Sequence, residues 1–491
     1  MAIQVYSLGA AQEVTGSKHI LEIDGKIYMI DCGAFQGKRS VADEKNRRMD
    51  IPHDKIQAVV LTHAHYDHCG LIPFLTKNGF TGNIYATPAT RDLANLVMMD
   101  SARIQSRDAE YLRKQSTRKG EKFDWTPLFT EKDCVAADNQ IISLSYNRKM
   151  FIAPNVQLEF FDAGHILGSA FANFTVYNQK KPEKNFFRKL FSKSKNIPQE
   201  NESINILYTG DLGRPSKPII RDPATSVPPP DYIFLESTYG DRLHEGSEIA
   251  MKELKNVVRR AIDKKGKIII PSFAIERTQE LIYYLHILVD QKKIPQIPIY
   301  IDSPMAVNAT SIFQVHPECY DEEVHNAFLK HHKNPFGFGA LNLVTSVEES
   351  KSLNEKEGPM IIISADGMCE AGRVVHHIAN SISKPENTIL IVGYMAENTL
   401  GRRIKDGAKE VKIMGDTYPV NASIETINAF SAHADYKEAL EWLNKLDTSR
   451  LKKIFLVHGE KESQEFFKDF LHKNGYKHVQ IVKYGETYSL T

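Results

Sequence analysis

The first hundred residues alternate short apolar runs with polar turns, a pattern that predicts β-strands. Five such runs occur, at residues 3–8, 19–23, 26–30, 58–62 and 83–85. Residues 90–104 then repeat apolar positions at helical spacing, with Thr90 as a candidate N-cap. The beginning of the chain is therefore predicted to form a sheet that is followed by a helix.

The middle of the chain contains two charged segments. Residues 106–122 are strongly charged and are predicted to form a solvated helix and loop. Strand patterns return over residues 151–177 and 204–208, on either side of a lysine-rich segment at 180–195. We predict that this lysine-rich segment is a surface insertion.

After Tyr239 the pattern changes to alternating helices and buried strands. Helices are predicted at 251–263 and 275–289, and strands at 267–271, 297–301, 359–363 and 388–392. Short apolar runs that are separated by helices are typical of a parallel sheet covered on both faces. We predict a second α/β domain at residues 241–424, between a first domain part at 1–240 and a closing part at 425–491.

Length and composition restrict the class of protein. At 491 residues the chain is longer than one hydrophobic core usually organises, so two domains or a large insertion are expected. No apolar run approaches the roughly 18 residues of a bilayer-spanning helix. The first residues lack the basic region of a signal peptide. We expect a cytoplasmic enzyme that has no membrane partner.

Cysteine usage and charge exclude further classes. The five cysteines are scattered without C-x-x-C spacing, which predicts reduced thiols and neither a disulfide framework nor a thiolate zinc site. With 62 basic and 61 acidic residues, the net charge of +1 offers no global attraction for a polyanion. Any affinity for nucleic acid must come from local patches.

The densest chemistry lies in a segment that directly follows the apolar run 56–61. It contains His63, His65, Asp67 and His68. Because side chains alternate along an extended chain, His63 and His65 can face one point, and Asp67 and His68 follow where a helix would start. Imidazole nitrogen and carboxylate oxygen suit zinc, with manganese or iron as alternatives. We predict a metal site at the end of this strand.

Three isolated residues at other strand ends are further candidates for the site. His165 is flanked by Gly164 and Gly168, which let backbone segments approach closely. Asp211 ends an apolar run, and a carboxylate there could bridge two cations. Asp31 ends another apolar run, and we predict that it orients a metal-ligating side chain without binding the metal itself. Taken singly, each could instead be an ordinary turn former or a hydrogen-bonded structural residue.

The order of these residues resembles the metallo-β-lactamase superfamily. The residues that carry the resemblance are Asp31, His63, His65, Asp67, His68, His165 and Asp211. The resemblance implies an α/β fold, an αββα sandwich that holds two zinc ions between sheet edges. The implied ligands of one metal are His63, His65 and His165, those of the other are Asp67 and His68, and Asp211 lies between them.

Later motifs narrow the resemblance to the β-CASP nucleases, related to the pre-mRNA 3′-end cleavage endonuclease. Motif A resembles residues 233–240 with Glu236, motif B resembles 430–435 with His433, and motif C resembles 454–460 with His458. The resemblance implies that residues 241–424 form an inserted β-CASP domain with a mainly parallel sheet. It makes His458 the remaining ligand of the second metal, and Glu236 and His433 a hydrogen-bonded pair near the leaving group. A histidine at motif C favours RNA as substrate.

Four arginines are candidates for contact with the RNA backbone, namely Arg277, Arg373, Arg402 and Arg403. Arg373 follows a glycine-containing turn whose backbone N–H groups could hold a phosphate. Relatives commonly have Ser where Asp366 stands, and a plain strand-to-helix turn is the alternative. Each arginine could instead be an ion-pair partner within the fold. The resemblance also implies that the second domain covers the metal cleft, so that RNA enters as a single strand.

These patterns predict a zinc-dependent ribonuclease of RNA processing or decay. Asp67 would help to orient a water molecule, and His433, polarised by Glu236, would protonate the departing 3′-oxygen. The products would carry 5′-phosphate and 3′-hydroxyl ends. The alternatives are a metal-dependent thiolester or lactone hydrolase and a non-catalytic RNA-binding member of the family. The sequence does not decide whether cleavage is endonucleolytic or 5′-exonucleolytic. It also leaves open which metal is native and whether the chain forms a homodimer.

Overall fold

A computed structural model describes residues 1–120, 122–178, 203–244, 246–331, 334–393, 395–396 and 398–491. The lysine-rich segment predicted as a surface insertion lies outside these residues. The chain forms two compact units. The first comprises Met1–Pro215, Pro223–Arg242 and His433–Thr491, and the second comprises Ser216–Asp222 and Leu243–Ala432.

The first unit contains two seven-stranded sheets. One has the order β22-β1-β2-β3-β4-β5-β6, in which β1, β2, β3 and β22 pair antiparallel and β3 to β6 pair in parallel. Its strands are β1 Ile3–Ser7, β2 His19–Ile23, β3 Lys26–Ile30, β4 Ile56–Val60, β5 Asn83–Ala86, β6 Ile141–Ser143 and β22 Tyr488–Leu490.

The other sheet has the order β21-β20-β11-β10-β9-β8-β7. Strands β7 to β10 pair antiparallel, and β10, β11, β20 and β21 pair in parallel. Its strands are β7 Met150–Ala153, β8 Val156–Asp162, β9 Ala170–Tyr177, β10 Ser203–Tyr208, β11 Tyr232–Glu236, β20 Lys453–Val457 and β21 Val479–Ile481.

Buried side chains from both sheets form one core between them, as in a β-sandwich. In this core the ring of Phe234 stacks between Tyr208 and Phe455, at centroid distances of 4.2 and 4.7 Å. On the outer face of the second sheet, Trp442 and Phe467 pack from two helices. The helices of the unit are Arg39–Arg47, Tyr66–Cys69, Ile72–Lys77, Pro88–Lys119, Glu131–Asp138, Tyr436–Lys445 and Lys461–Lys473. The predicted αββα sandwich is confirmed.

The second unit contains a six-stranded sheet of order β14-β13-β15-β12-β16-β19, in which all pairs are parallel. The strands are β12 Lys267–Pro271, β13 Ile299–Ile301, β14 Leu341–Leu343, β15 Met360–Ser364, β16 Thr388–Ile391 and β19 Ser423–Thr426, with a hairpin of β17 Glu410–Ile413 and β18 Asp416–Pro419. The helices are Ser247–Asp263, Arg277–Asp290, Pro304–Val315, Glu322–His331, Val347–Glu355, Arg373–Ser381 and Leu400–Lys405. The predicted parallel α/β sheet is confirmed.

One helix of the first unit is longer than predicted and spans Pro88–Lys119. The prediction of Thr90 as its N-cap is wrong, because the hydroxyl of Thr87 accepts the N–H of Thr90. Pro88 is favoured at the first helical position, where its missing N–H is not needed. The helix ends at Gly120, whose φ of 70° is left-handed. The charged segment therefore continues this long helix.

Other predictions concern the cysteines and the membrane. All five cysteines are buried thiols. Within the part of the chain that the structure describes, no helix combines the length and the apolarity needed to cross a bilayer.

Candidate metal centre

The His-rich segment leaves β4 in an extended conformation and then turns into a short helix. His65 is extended, with φ −65° and ψ 149°, and it is the N-cap of helix Tyr66–Cys69. This geometry lets His63 and His65 face one point from the extended part. His68 lies on the helix and belongs to a second group of side chains.

Residues at the strand ends of the second sheet complete the centre. His165 follows β8, Asp211 follows β10 and His458 follows β20. A Cβ added to Gly213 would lie 1.8 Å from the carbonyl oxygen of Gly164. Only glycine permits this approach, which brings the segment of Asp211 against the segment of His165.

The first group of side chains contains His63, His65, His165 and Asp211. His65 Nδ1 lies 3.1 Å from His63 Nε2 and 3.2 Å from His165 Nε2. Asp211 Oδ2 lies 3.4 Å from both of those Nε2 atoms. The four atoms therefore lie close enough to one another to ligate a single metal ion.

The second group contains Asp67, His68 and His458 and is reached by the other oxygen of Asp211. His68 Nε2 lies 3.1 Å from His458 Nε2 and 3.3 Å from Asp211 Oδ1. Asp67 Oδ2 lies 3.5 Å from His458 Nε2. One carboxylate, that of Asp211, thus contributes an oxygen to each group.

The spacing within both groups fits tetrahedral cations. A zinc ion with ligands at about 2.0–2.1 Å separates neighbouring ligand atoms by about 3.3–3.4 Å in a regular tetrahedron. The separations of 3.1 to 3.5 Å agree with this geometry. Asp211 Oδ1 is buried and has no hydrogen-bond partner among the described residues, as expected of an oxygen placed for a cation.

The protonation states of the first group also suit metal binding. Burial lowers the pKa values of His63, His65 and His165, and that of His65 falls to about 3. These three imidazoles are therefore neutral at neutral pH. Burial opposes ionisation of Asp211, but the nearby His458 and His68 hold its pKa well below the usual range. Neutral imidazole and ionised carboxylate are the forms that ligate metals.

Residues behind the histidines fix their ring orientations. Asp31 accepts hydrogen bonds at Oδ2 from His68 Nδ1, at 2.7 Å, and from the hydroxyl of Thr62, at 2.8 Å. The hydroxyl of Thr62 lies 3.1 Å from His63 Nδ1, and that of Thr238 lies 3.0 Å from His458 Nδ1. Such partners orient metal-ligating imidazoles. Sequence reasoning missed both threonines, although each stands within two residues of a strand-end His or Glu.

Glu236 and His433 form a pair next to the first group. His433 Nδ1 lies 2.9 Å from Glu236 Oε1, whose carboxylate also accepts the backbone N–H groups of Leu212 and Thr238, each at 3.0 Å. Burial opposes protonation of His433, but the charges of Glu236 and Asp211 raise its pKa to about 9. His433 is therefore a cation at neutral pH.

The four candidate arginines for RNA belong to the second unit, and three of them bind carboxylates there. Arg373 NH1 lies 2.6 Å from Asp302 Oδ1, Arg277 pairs with Glu280, and Arg402 Nε lies 2.8 Å from Asp406 Oδ2. Arg403 is exposed. Their contact with RNA stays a prediction.

In the turn before Arg373, a side chain of the turn itself binds the backbone N–H groups. The carboxylate of Asp366 accepts the backbone N–H groups of Met368, at 2.9 Å, and Glu370, at 3.2 Å. These amides were candidates to hold a phosphate. Asp366 therefore accounts for two amides of this turn without a ligand.

Three family models match the chain. Residues 17–139 match the metallo-beta-lactamase superfamily, residues 278–404 match the Beta-Casp domain, and residues 417–482 match the Zn-dependent metallo-hydrolase RNA specificity domain. The matched ranges follow the order that the sequence motifs predicted.

Two relatives and one solved structure illustrate the similarity. Ribonuclease TTHA0252 of Thermus thermophilus is 33% identical over 485 residues, 99% of each chain. The transcription termination factor FttA of Methanocaldococcus jannaschii is 31% identical over 95% of this chain and 68% of that protein. A crystal structure of a protein of unknown function from Enterococcus faecalis V583 covers 100% of both chains with a TM-score of 0.51 and 12% identity, which supports the fold alone. The chain therefore belongs to the metallo-β-lactamase superfamily and, within it, to the β-CASP ribonucleases.

Proposed function

We propose that this protein is a two-metal, zinc-dependent phosphodiesterase that cleaves single-stranded RNA and leaves 5′-phosphate and 3′-hydroxyl ends. The observation that carries the proposal is the pair of ligand groups that share Asp211. The RNA specificity model and the ribonuclease from Thermus thermophilus support RNA as the substrate.

Divalent cations bound by the two groups would supply positive charge to the phosphate oxygens and make water more acidic. The protein's own part is to hold the ligands in fixed positions. Asp211 has one carboxylate oxygen in each group and would therefore hold both cations. The hydrogen bonds of Asp31, Thr62 and Thr238 restrict rotation of the imidazoles.

His433 is the proposed general acid. Its ring carries a proton on each nitrogen at neutral pH, because its pKa is raised to about 9. Glu236 holds Nδ1, and the backbone N–H groups of Leu212 and Thr238 hold Glu236 in turn. The Nε2 proton would pass to the departing 3′-oxygen as the bond from phosphorus to that oxygen breaks.

Asp67 is the proposed partner of the attacking water. Burial opposes its ionisation, but the hydrogen bond from His458 and the nearby charge of His68 lower its pKa. Its side chain keeps 16% of its surface exposed, against 2% for Asp211. An ionised, accessible carboxylate can accept a hydrogen bond from water and orient it towards phosphorus. The water oxygen then becomes part of the 5′-phosphate.

The test uses single-stranded RNA labelled at either end, incubated with zinc or manganese and with a chelator control. We expect metal-dependent cleavage whose products are ligatable at the 3′ end and sensitive to phosphatase at the 5′ end. A 5′-monophosphorylated RNA and its triphosphate twin then separate endonucleolytic from 5′-exonucleolytic action. Cleavage that persists in chelator, or products with 3′-phosphate ends, would overturn the proposal.

A further inference from the structure

The second half of the long helix contributes no fully buried residue to the core. The helix has 32 residues, and its last buried residue is Ala102. None of the described residues from 103 to 119 is buried. Its half-buried residues recur at helical spacing, at 105, 108, 109, 112, 115 and 116, so one face packs against the unit and the opposite face is open to solvent.

One face of this segment carries a basic stripe, which consists of Arg103, Arg107, Tyr111, Lys114 and Arg118. The spacing of four, four, three and four residues places these side chains above one another on a helix. All five are exposed, and Tyr111 exposes 61% of its surface. The basic stripe is therefore a row of cations around an accessible aromatic ring.

The ion pairs of the region leave the stripe positively charged. Among the described residues, Arg107 and Arg118 have no ion-pair partner, whereas Arg103 pairs with Glu131 and Lys114 pairs with Glu110, the latter at 2.8 Å. The neighbouring Asp108 binds Arg39 at 2.9 Å, so its charge is compensated. Exposed ion pairs of this kind are weak and exchange readily for a phosphate.

The local charge contrasts with that of the whole chain. Residues 103–126 contain seven basic and four acidic residues, whereas the whole chain has a net charge of +1. A positive patch on an otherwise balanced surface concentrates attraction for a polyanion at one place.

The helix that carries the stripe packs its other side against the metal-binding segment of the same unit. The hydroxyl of Ser101 lies 3.1 Å from that of Tyr66, which stands between His65 and Asp67. Arg103 follows two residues later and about 200° further around the helix, so the stripe faces away from this contact. From there to Arg118 the helix extends about 23 Å, at about 1.5 Å per residue.

We propose that the basic stripe is a binding site for single-stranded RNA, which follows the exposed side of the helix outside the metal centre. The arginines and Lys114 contact backbone phosphates, and Tyr111 stacks on a base. Cationic grooves with interleaved aromatic rings bind single strands without sequence preference. This inference rests on the proposed function and adds to it a contact outside the metal centre.

The first experiment compares two double variants of the same helix. R107Q/R118Q removes two stripe charges, and R113Q/K119Q removes two exposed charges that lie about 120° away on either side. Binding of a fluorescent 30-nucleotide RNA is measured in chelator, which prevents cleavage, at several salt concentrations. Loss of two phosphate contacts flattens the slope of log K against log salt by about 1.4 and weakens binding about 20-fold at 0.1 M salt. R113Q/K119Q should bind as the unchanged protein does.

The second experiment tests the aromatic position. Tyr111→Ala should weaken RNA binding at least about fivefold, and Tyr111→Phe should restore it, because stacking needs the ring and not the hydroxyl. Circular dichroism of all variants checks that the helix is retained.

The outcomes separate this inference from the proposed function. Equal binding by both double variants, or equal losses in both, overturns the basic stripe as an RNA site even if the protein cleaves RNA. Selective loss in R107Q/R118Q supports the RNA site even if no cleavage is detected. The inference is also overturned if R107Q/R118Q binds RNA as the unchanged protein does but no longer binds a protein partner.

Discussion

Asp211 is the residue on which both ligand groups depend, because its two oxygens face different groups. We predict that Asp211→Asn lowers bound zinc from about two ions to fewer than one, whereas His165→Ala removes about one. Elemental analysis of protein dialysed against a small excess of zinc measures this. Two ions retained by Asp211→Asn would contradict a shared carboxylate.

A variant of His433 distinguishes a role in catalysis from a role as a metal ligand. The Nδ1 atom of His433 is held by Glu236, and its side chain exposes 19% of its surface. We predict that His433→Ala slows RNA cleavage by about 100-fold or more, the range for a lost general acid, and leaves the zinc content unchanged. Turnover and metal content are measured on the same preparation. Loss of zinc would instead identify His433 as a ligand.

Single residues differ in how well a sequence reveals them. His63, His65, Asp67 and His68 are conspicuous because they crowd into six positions. His165, Asp211 and His458 became candidates only through their order along the chain, and their roles as ligands stay predictions. The threonines beside them were missed because strand ends often carry hydroxyl residues, and only the fold shows which of these hydroxyls faces an imidazole.

At the scale of elements, a close approach of two loops positions the centre. A methyl group at position 213 would meet the carbonyl oxygen of Gly164 at 1.8 Å. We predict that Gly213→Ala destabilises the protein by about 1–3 kcal/mol and weakens zinc binding, because the segment of His165 must move. Urea unfolding and metal titration measure the two effects.

The matched control is Gly246→Ala, since nothing lies within 4 Å of a Cβ at that position. That variant should unfold within about 0.5 kcal/mol of the original. Equal effects at the two glycines would contradict the steric argument.

The parallel sheet of the second unit contains a buried carboxylate that links several elements. Asp302, which is fully buried, binds Arg373 at 2.6 Å and Ser350 and His377 at 2.5 Å. Burial opposes its ionisation, but the hydrogen bonds from His377, Ser350 and Arg373 lower its pKa below 3.8. A lowered pKa stabilises the folded state at pH above 3.8, and this contribution is lost as pH falls through the folded value.

We predict that Asp302→Asn costs about 3 kcal/mol at pH 7, because Arg373 loses its charged partner. The difference in unfolding free energy between the two proteins should shrink as the pH falls below 3.8. Urea unfolding at pH 7, 5 and 3 measures it. A difference that is independent of pH would show that the charge of Asp302 contributes nothing.

The elements themselves were predicted well where apolar periodicity is strong, as in β2, β3 and β12. The charged segment 106–122 was predicted as a solvated helix and loop, and what the prediction missed is that its helix is continuous with the preceding one as Pro88–Lys119. The helix predicted from residue 275 begins at Arg277, since Glu276 has a φ of 67° that no α-helix accepts. Such backbone strain leaves no signal in periodicity.

At the scale of the whole molecule, the ligands join parts of the chain that are distant in sequence. We predict that removing metal with a chelator lowers the melting temperature of the first unit by about 5 °C or more, because ions at 100 times their dissociation constant stabilise by about 2.7 kcal/mol per site. Differential scanning calorimetry measures it. His433→Ala should show the same shift and Asp211→Asn little, and an unchanged melting temperature in chelator would count against bound metal.

The architecture was predictable largely because the motifs occur in a fixed order, and the order of strands within each sheet was not. No local pattern reveals that β22 pairs with β1, or that β20 lies between β11 and β21. β1 and β22, and likewise β11 and β20, are separated by hundreds of residues, and their pairing depends on long-range packing of the two sheets.

The distance of 390 positions between His68 and His458 has a consequence for how the protein is made. During translation, His68 emerges from the ribosome long before the codon of His458 is decoded. On an emerging polypeptide, the second ligand group therefore lacks His458 until translation has passed position 458. Until this part of the mRNA has been translated, the metal centre of the nascent chain is incomplete.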